Sequence, residues 1–208
     1  MSPVLRQVFL GLVLVLCSSA FGASSLGAQL CRGGRPEALG WMALTAGVAA
    51  ADASVIGGEV VWRFEQGLQL FGDADITAYP RPDPTRGRVA VGAGIELFVG
   101  ERFGVCTTVA FERERMGDLR AQRIPIGLAM GWSVPLAGVE RHIGFTLEPF
   151  YVHGHARVAR WSHGSDFVSG RAGMIYVARR LLLGFEYENA FDDDARWQTI
   201  ARVGVTFN

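Results

Sequence analysis

The sequence predicts an all-β protein, a closed antiparallel up-and-down transmembrane β-barrel of about ten strands, with eight strands as the alternative count. Three observations point there. Apolar side chains recur at every second residue along most of the chain, the first residues follow the order of an export signal, and short links alternate with longer polar ones. The last stretch shows the first of these plainly. Trp197, Thr199, Ala201, Val203, Val205 and Phe207 share one phase, and Gln198, Arg202 and Thr206 lie between them. Such a strand has an oily face and a more polar one.

Composition allows this and excludes other classes. With 208 residues the chain suits one barrel better than two domains. Half of it is hydrophobic, 19% is charged and 27 residues are glycine, which argues against disorder and for a glycine-rich β architecture. The formal charge is zero, and no aromatic-rich basic patch of the kind that binds nucleic acid is present in the sequence.

From the N-terminus, Arg6 precedes an apolar run over residues 8–16 and then mostly small residues to Ala28. This predicts a signal peptide over residues 1–28, cleaved after Gly22, Gly27 or Ala28. The apolar run is too short for a membrane helix, which needs about 20 residues. Leu16 is bulky where lipid attachment at Cys17 asks for a small residue. Residues 29–40 are then an N-terminal periplasmic segment, and 41–208 the barrel. Cys31 and Cys106 remain as an even pair in an oxidising compartment, with their pairing left open by sequence.

Period-two reading places strands near 41–51, 55–64, 67–79, 87–99, 102–114, 122–135, 140–157, 166–179, 181–189 and 196–207. Typical lengths match the roughly 9 to 11 residues that a tilted strand needs to cross a bilayer core. The fourth puts Val89, Val91, Ala93, Ile95, Leu97 and Val99 on one face, against Arg88, Ala90, Gly92, Gly94, Glu96 and Phe98. The sixth sets Ile124, Ile126, Leu128, Met130, Trp132 and Val134 against Pro125, Gly127, Ala129, Gly131 and Ser133. Pro125 and Pro135 also argue against a helix over 124–139. In the seventh, Pro149 predicts a bulge or edge irregularity.

A soluble barrel alternates too, but its water-facing phase carries polar residues throughout. Here the second phase is mostly Gly and Ala with scattered charges, which suits a narrow lumen. Those charges are Glu59, Arg63, Asp73, Asp75, Arg88, Glu96, Glu112, Glu114, Glu148, Arg171, Glu186, Glu188 and Arg202, with Gln69 beside them. A buried carboxylate without a partner costs several kcal/mol, so the carboxylates are expected to pair with Arg63, Arg88, Arg171 and Arg202 inside the barrel.

Short links near residues 65–66, 100–101, 136–139 and 179–180 alternate with longer ones at 80–86, 115–121, 158–165 and 190–195. Only the link at 52–54 breaks the alternation. The aromatics Trp41, Trp62, Phe64, Tyr79, Phe103, Phe111, Trp132, Tyr151, Tyr187, Trp197 and Phe207 fall mostly near predicted strand ends, where rings favour a membrane interface.

On the export order, the dyad strands and the terminal strand over 196–208, the chain resembles the small bacterial outer-membrane β-barrel proteins, a broad class, from about residue 41 onward. The resemblance implies location in the bacterial outer membrane, short turns on the periplasmic side, contact with outer-membrane lipid and a monomeric state. It also implies that the closing aromatic, Phe207, is read by the barrel-assembly machinery. Asn208 follows it.

Three clusters carry possible chemistry. His163-Gly164-Ser165 resembles the His-x-Ser element of outer-membrane lipid A deacylases, with Asp166 where that family has Asn; a polar turn accounts for it as well. His153 and His155 can share a strand face, with His142 at the strand's other end, but read better as rim histidines in a loop than as metal ligands. Asp192, Asp193 and Asp194 read as a solvated hairpin tip, not a calcium loop. No cofactor or nucleic-acid partner is expected. The expected role is structural, adhesive or a narrow passage for small solutes, with a lipid A deacylase-like hydrolase and a secreted soluble barrel for an apolar ligand as alternatives.

Overall fold

The computed structural model describes residues 39–64, 67–80, 84–99, 102–136, 141–159, 161–191 and 197–207. They form ten strands: β1 (Gly40–Ala49), β2 (Ala53–Arg63), β3 (Leu68–Ala78), β4 (Arg86–Val99), β5 (Phe103–Met116), β6 (Leu119–Pro135), β7 (Arg141–Val158), β8 (Trp161–Ala178), β9 (Leu181–Ala190) and β10 (Trp197–Phe207). Each pairs antiparallel with its sequence neighbour. β1 also pairs with β10, from Gly40 opposite Phe207 to Ala49 opposite Gln198, and closes the barrel. The count is ten, not eight, and closure leaves no unpaired edge around the wall; above it the projecting Trp161–Phe167 stretch of β8 pairs with β7 and not with β9 among the described residues.

Side-chain direction follows the alternation. Leu44 is 76% exposed, Ile56 65%, and Val91 and Val203 57% each, all on the outer wall. The opposite phase is buried inside, as in β6, where Gly127, Ala129, Gly131 and Ser133 point to the lumen and Ile124, Ile126, Trp132 and Val134 away from it. An apolar outer face around a small-residue interior is the reverse of a soluble ligand carrier, whose oily residues line its cavity.

The link lengths differ from the sequence expectation at two places. Residues 115–121 and 158–165 are not long loops. β5 runs to Met116 and β6 starts at Leu119 around the turn Gly117–Asp118, while β7 runs to Val158 and β8 starts at Trp161. Polarity suggested loops, but a hairpin that projects beyond the barrel exposes both faces to water and so loses the apolar alternation while keeping its ladder. The tight turns use left-handed residues: Ala51 (φ 61°), Asp52 (φ 55°), Gly117 (φ 57°), Ala159 (φ 50°) and Arg179 (φ 54°).

The ladders carry an irregularity at Pro149 and a bulge elsewhere. At Pro149 the β6–β7 ladder is interrupted but not bulged: one register holds from Gly127 opposite Phe150 to Met130 opposite Leu147, and only the pairs between are missing. The bulge lies in β4, where the ladder to β5 passes from Glu96 opposite Cys106 to Phe98 opposite Val105. Strict alternation in β4 therefore ends at Glu96.

At the β1–β10 seam the backbones approach closely over glycine. A Cβ on Gly204 would collide with the Met42 carbonyl oxygen, and one on Gly47 with the Thr199 carbonyl oxygen. Neither obstacle is a side chain that can swing away. Gly204→Val is expected to lower stability by about 1–3 kcal/mol, the usual cost of overpacking. Urea unfolding from lipid vesicles measures it, and a wild-type midpoint would contradict the seam geometry.

Candidate functional site

The lumen is filled in three levels. At the end of the barrel that carries the terminal residues of β1 and β10, Trp41, Val61, Phe71, Ile175, Val177 and Leu182 form one buried apolar cluster. Register explains their meeting: Trp41 lies opposite Val61, Val61 opposite Phe71, and Val177 opposite Leu182 across the β8–β9 turn. Trp41, at 2% exposure, is therefore an inward plug residue and not the interfacial aromatic that its position at a strand end suggested. Its phase belongs with Ala43, Thr45 and Ala49, all buried.

Above the plug lies a layer of ion pairs in two webs. Arg88 of β4 anchors the first, with Nη2 2.7 Å from Asp73 Oδ1, Nε 2.6 Å from Asp75 Oδ2 and Nη1 3.2 Å from Glu112 Oε1. In the second, Arg171 of β8 reaches Glu148 at 3.6 Å, Glu186 at 3.3 Å and Glu188 at 3.1 Å, with its guanidinium 5.5 Å from the Phe150 ring centroid. Arg202 of β10 extends that web, with Nη2 2.6 Å from Glu186 Oε2 and Nε against Glu59 Oε1 of β2. Arg63 stands 3.9 Å from Glu96, nearer the plug. Thr108 donates its hydroxyl to Glu148 at 2.7 Å, and Gln198 its amide to Glu188 at 3.1 Å.

Two further arginines belong to the layer and escaped the sequence reading. Arg123 Nη1 is 2.9 Å from Glu114 Oε2, and Arg86 donates to Thr77 Oγ1 at 2.9 Å while standing 3.9 Å from Asp75. Arg86 falls in the link predicted over 80–86, but β4 begins with it and it continues the Arg88 phase by one dyad step. Arg123 lies inside the strand predicted over 122–135, on the phase of Pro125 and Gly127, but is absent from the expected lumenal charges. Among the described residues, lumenal pairs thus join six arginines to nine carboxylates. Each arginine with several partners holds carboxylates together that would otherwise repel.

The remaining space is small. Both webs border a gap of about 20 Å³, room for little more than one water. At the opposite end from the plug a vestibule of about 230 Å³ opens between the 50–52 turn, Tyr79, Phe167 and Trp197, with Arg86, Arg88, Arg123 and Glu188 as its floor. Cys106 faces the lumen beside Ala129 and is disulfide-bonded; Cys17 and Cys31 both lie outside the described residues.

The histidine and serine candidates fall on β7 and β8, in the projecting hairpin, and not in a loop or polar turn. His163 and Ser165 share one face of β8, and no hydrogen bond joins them among the described residues; Ser165 lies opposite Gly154. Asp166 points to the other face, where its Oδ1 is 2.7 Å from His153 Nδ1. The nearest acid is thus committed to a different histidine across the sheet, and no serine–histidine–acid relay is assembled. Among the described residues no group of three or more His, Cys, Asp or Glu is placed to hold a metal. Asp192, Asp193 and Asp194 lie outside the described residues. Phe207 ends β10 with its ring 5.1 Å from that of Trp62, and Phe103 and Trp132 form a similar tilted pair at 5.1 Å.

No protein-family model matches the chain, and no curated protein matches it. Among solved structures it is similar to the translocator domain of autotransporter NalP from Neisseria meningitidis, at 10% identity and a TM-score of 0.48, over 81% of this chain and 86% of that one. It is also similar to the KdgM porin (12% identity, TM-score 0.40, 81% and 98% covered) and to the outer membrane protein Ail of Yersinia pestis (10%, 0.39, 81% and 99%). These are resemblances of barrel shape.

Proposed function

We propose that this protein is a monomeric bacterial outer-membrane barrel with a structural or adhesive role: a closed wall that presents its long β5–β8 hairpins at the cell surface. The observation that carries this is the blocked lumen. An apolar plug lies under two ion-pair webs, and the gap between the webs admits about one water. A solute path would have to break several buried pairs at once, each costly to open. The outer apolar belt supports a lipid environment, and closure satisfies the backbone there.

In this reading residues 1–28 are a cleaved export signal, 29–40 a periplasmic segment, and Phe207 the residue offered to the barrel-assembly machinery. The plugged end, where β1 begins and β10 ends, faces the periplasm, and the projecting hairpins face outward. Two measurements test the proposal. Folded protein is expected to migrate differently on gels before and after boiling, as detergent-resistant barrels do. In planar bilayers it is expected to pass no steady current, and sustained channel steps in the wild-type protein would overturn the closed lumen.

A further inference from the structure

We infer that the outer face of the β5–β8 projection is a docking site for the phosphate-bearing headgroup of an outer-leaflet glycolipid. Arg115, Arg120 and Arg157 are direct register partners across β5, β6 and β7, so three guanidiniums stand side by side on one face. Arg113 lies one dyad step below, in a row with Gln122 and His155. All of these side chains are exposed. Arg113, Arg115 and Arg120 form no ion pair among the described residues; Glu112 and Glu114 point into the lumen toward Arg88 and Arg123, and Asp118, exposed in the β5–β6 turn, is the one acid beside the triad and pairs with none of them. On the outer face Asp166 is already held by His153.

Like charges placed directly opposite in a sheet are unfavourable. Three guanidiniums beside a single turn carboxylate, Asp118, leave a net positive site that an external anion completes. Every one of the chain's 20 basic residues is arginine, the side chain whose planar fork matches phosphate in bidentate fashion.

Position selects the membrane as the source of that anion. Four residues below the Arg113 row, Val109, Ile126, Tyr151 and Val168 form a continuous row of the outer belt. The last apolar residues of β5 and β6 on this face, Phe111 and Ile124, stand two residues above that row, so at about 3.3 Å per residue the Arg113 row lies roughly 7 Å and the Arg115–Arg120–Arg157 row roughly 13 Å beyond them along the strands. The headgroup layer occupies about 5–8 Å beyond each face of the hydrocarbon core, and the strands are tilted, so the rows bracket it. A soluble polyanion would have no need of the adjoining apolar surface.

The full-length protein folded in detergent is the material for the test, and the probe is bisphosphorylated lipid A, with its dephosphorylated form as the second arm. Wild-type protein is expected to retain the bisphosphorylated lipid through detergent exchange, read by native mass spectrometry, and to retain about tenfold less of the dephosphorylated one. The Arg115→Gln/Arg120→Gln/Arg157→Gln protein is expected to lose the same discrimination while keeping its heat-shifted migration. Equal retention of the two lipids by wild-type protein overturns the inference, as does displacement of the lipid by millimolar inorganic phosphate. If the triple variant does not fold, Arg113→Gln and a salt titration of wild-type protein decide: retention that is indifferent to both refutes the site. The inference rests on the membrane reading, which the gel shift tests separately.

Discussion

Replacing Arg202 with methionine is expected to destabilise the barrel by about 3–5 kcal/mol, the cost of leaving buried carboxylates without their cation. Arg202 is the most deeply buried of the lumenal arginines, with 5% side-chain exposure, and it alone joins Glu59 of β2 to Glu186 of β9 across β1 and β10. Glu186 keeps Arg171 at 3.3 Å, while Glu59 loses the guanidinium that its Oε1 touches. Adding Glu59→Gln to Arg202→Met is expected to recover part of the loss, because the neutral amide does not need that cation. Urea unfolding from vesicles, followed by tryptophan fluorescence, measures both. A single variant as stable as wild type would show that the webs are decoration and that the plug alone fills the barrel.

The same variant bears on the proposed role. If the ion layer is the upper half of the seal, removing Arg202 widens only the gap that it borders, and the apolar plug below still blocks the lumen. Bilayer currents are expected to stay silent in Arg202→Met. Conductance confined to that variant would place the gate in the ion layer and give the plug a lesser part.

How much of this was readable from sequence varies with the physics involved. The wall was legible because lipid, packed lumen and strand geometry all act with period two, so Leu44, Val91, Ile126 and Val203 fell into one phase without any knowledge of their neighbours. The projecting hairpins were not. In the projecting part both faces of Arg115–Arg120 and His155–Ala159 meet water, the apolar signal disappears, and a long strand looks like a polar loop. Trp41 misled for a related reason. An aromatic at a strand end suits either an interface or a plug, and only its phase relative to Ala43 and Thr45 separates them. The lumenal pairs occupy an intermediate position: phase gives the face, but which arginine meets which carboxylate depends on register and on barrel curvature. Glu59 and Arg202 belong to strands that are not even neighbours. Pro149 and the β4 bulge show the reach and the limit of single-residue rules, since the proline interrupts the β6–β7 ladder without shifting its register, whereas Leu97 carries no local mark of the bulge.

Leu44→Arg separates the membrane wall from every soluble alternative, and the expected cost is about 2–4 kcal/mol if the side chain lies near the bilayer midplane. Leu44 stands in the middle of β1, opposite Val203 on one side and Gly58 on the other, and is the most exposed large aliphatic on the strands, at 76%. In water an arginine at such a position costs nothing, and it would improve solubility by breaking an oily surface. The sign of the effect thus reports the solvent around the wall. Refolding into vesicles in graded urea should show the loss for Leu44→Arg and a smaller one for Trp161→Arg, because Trp161, though 84% exposed, lies at the tip of the projecting hairpin beyond the lipid. Equal effects at the two positions would deny the depth profile, and a neutral Leu44→Arg would return the outer face to water.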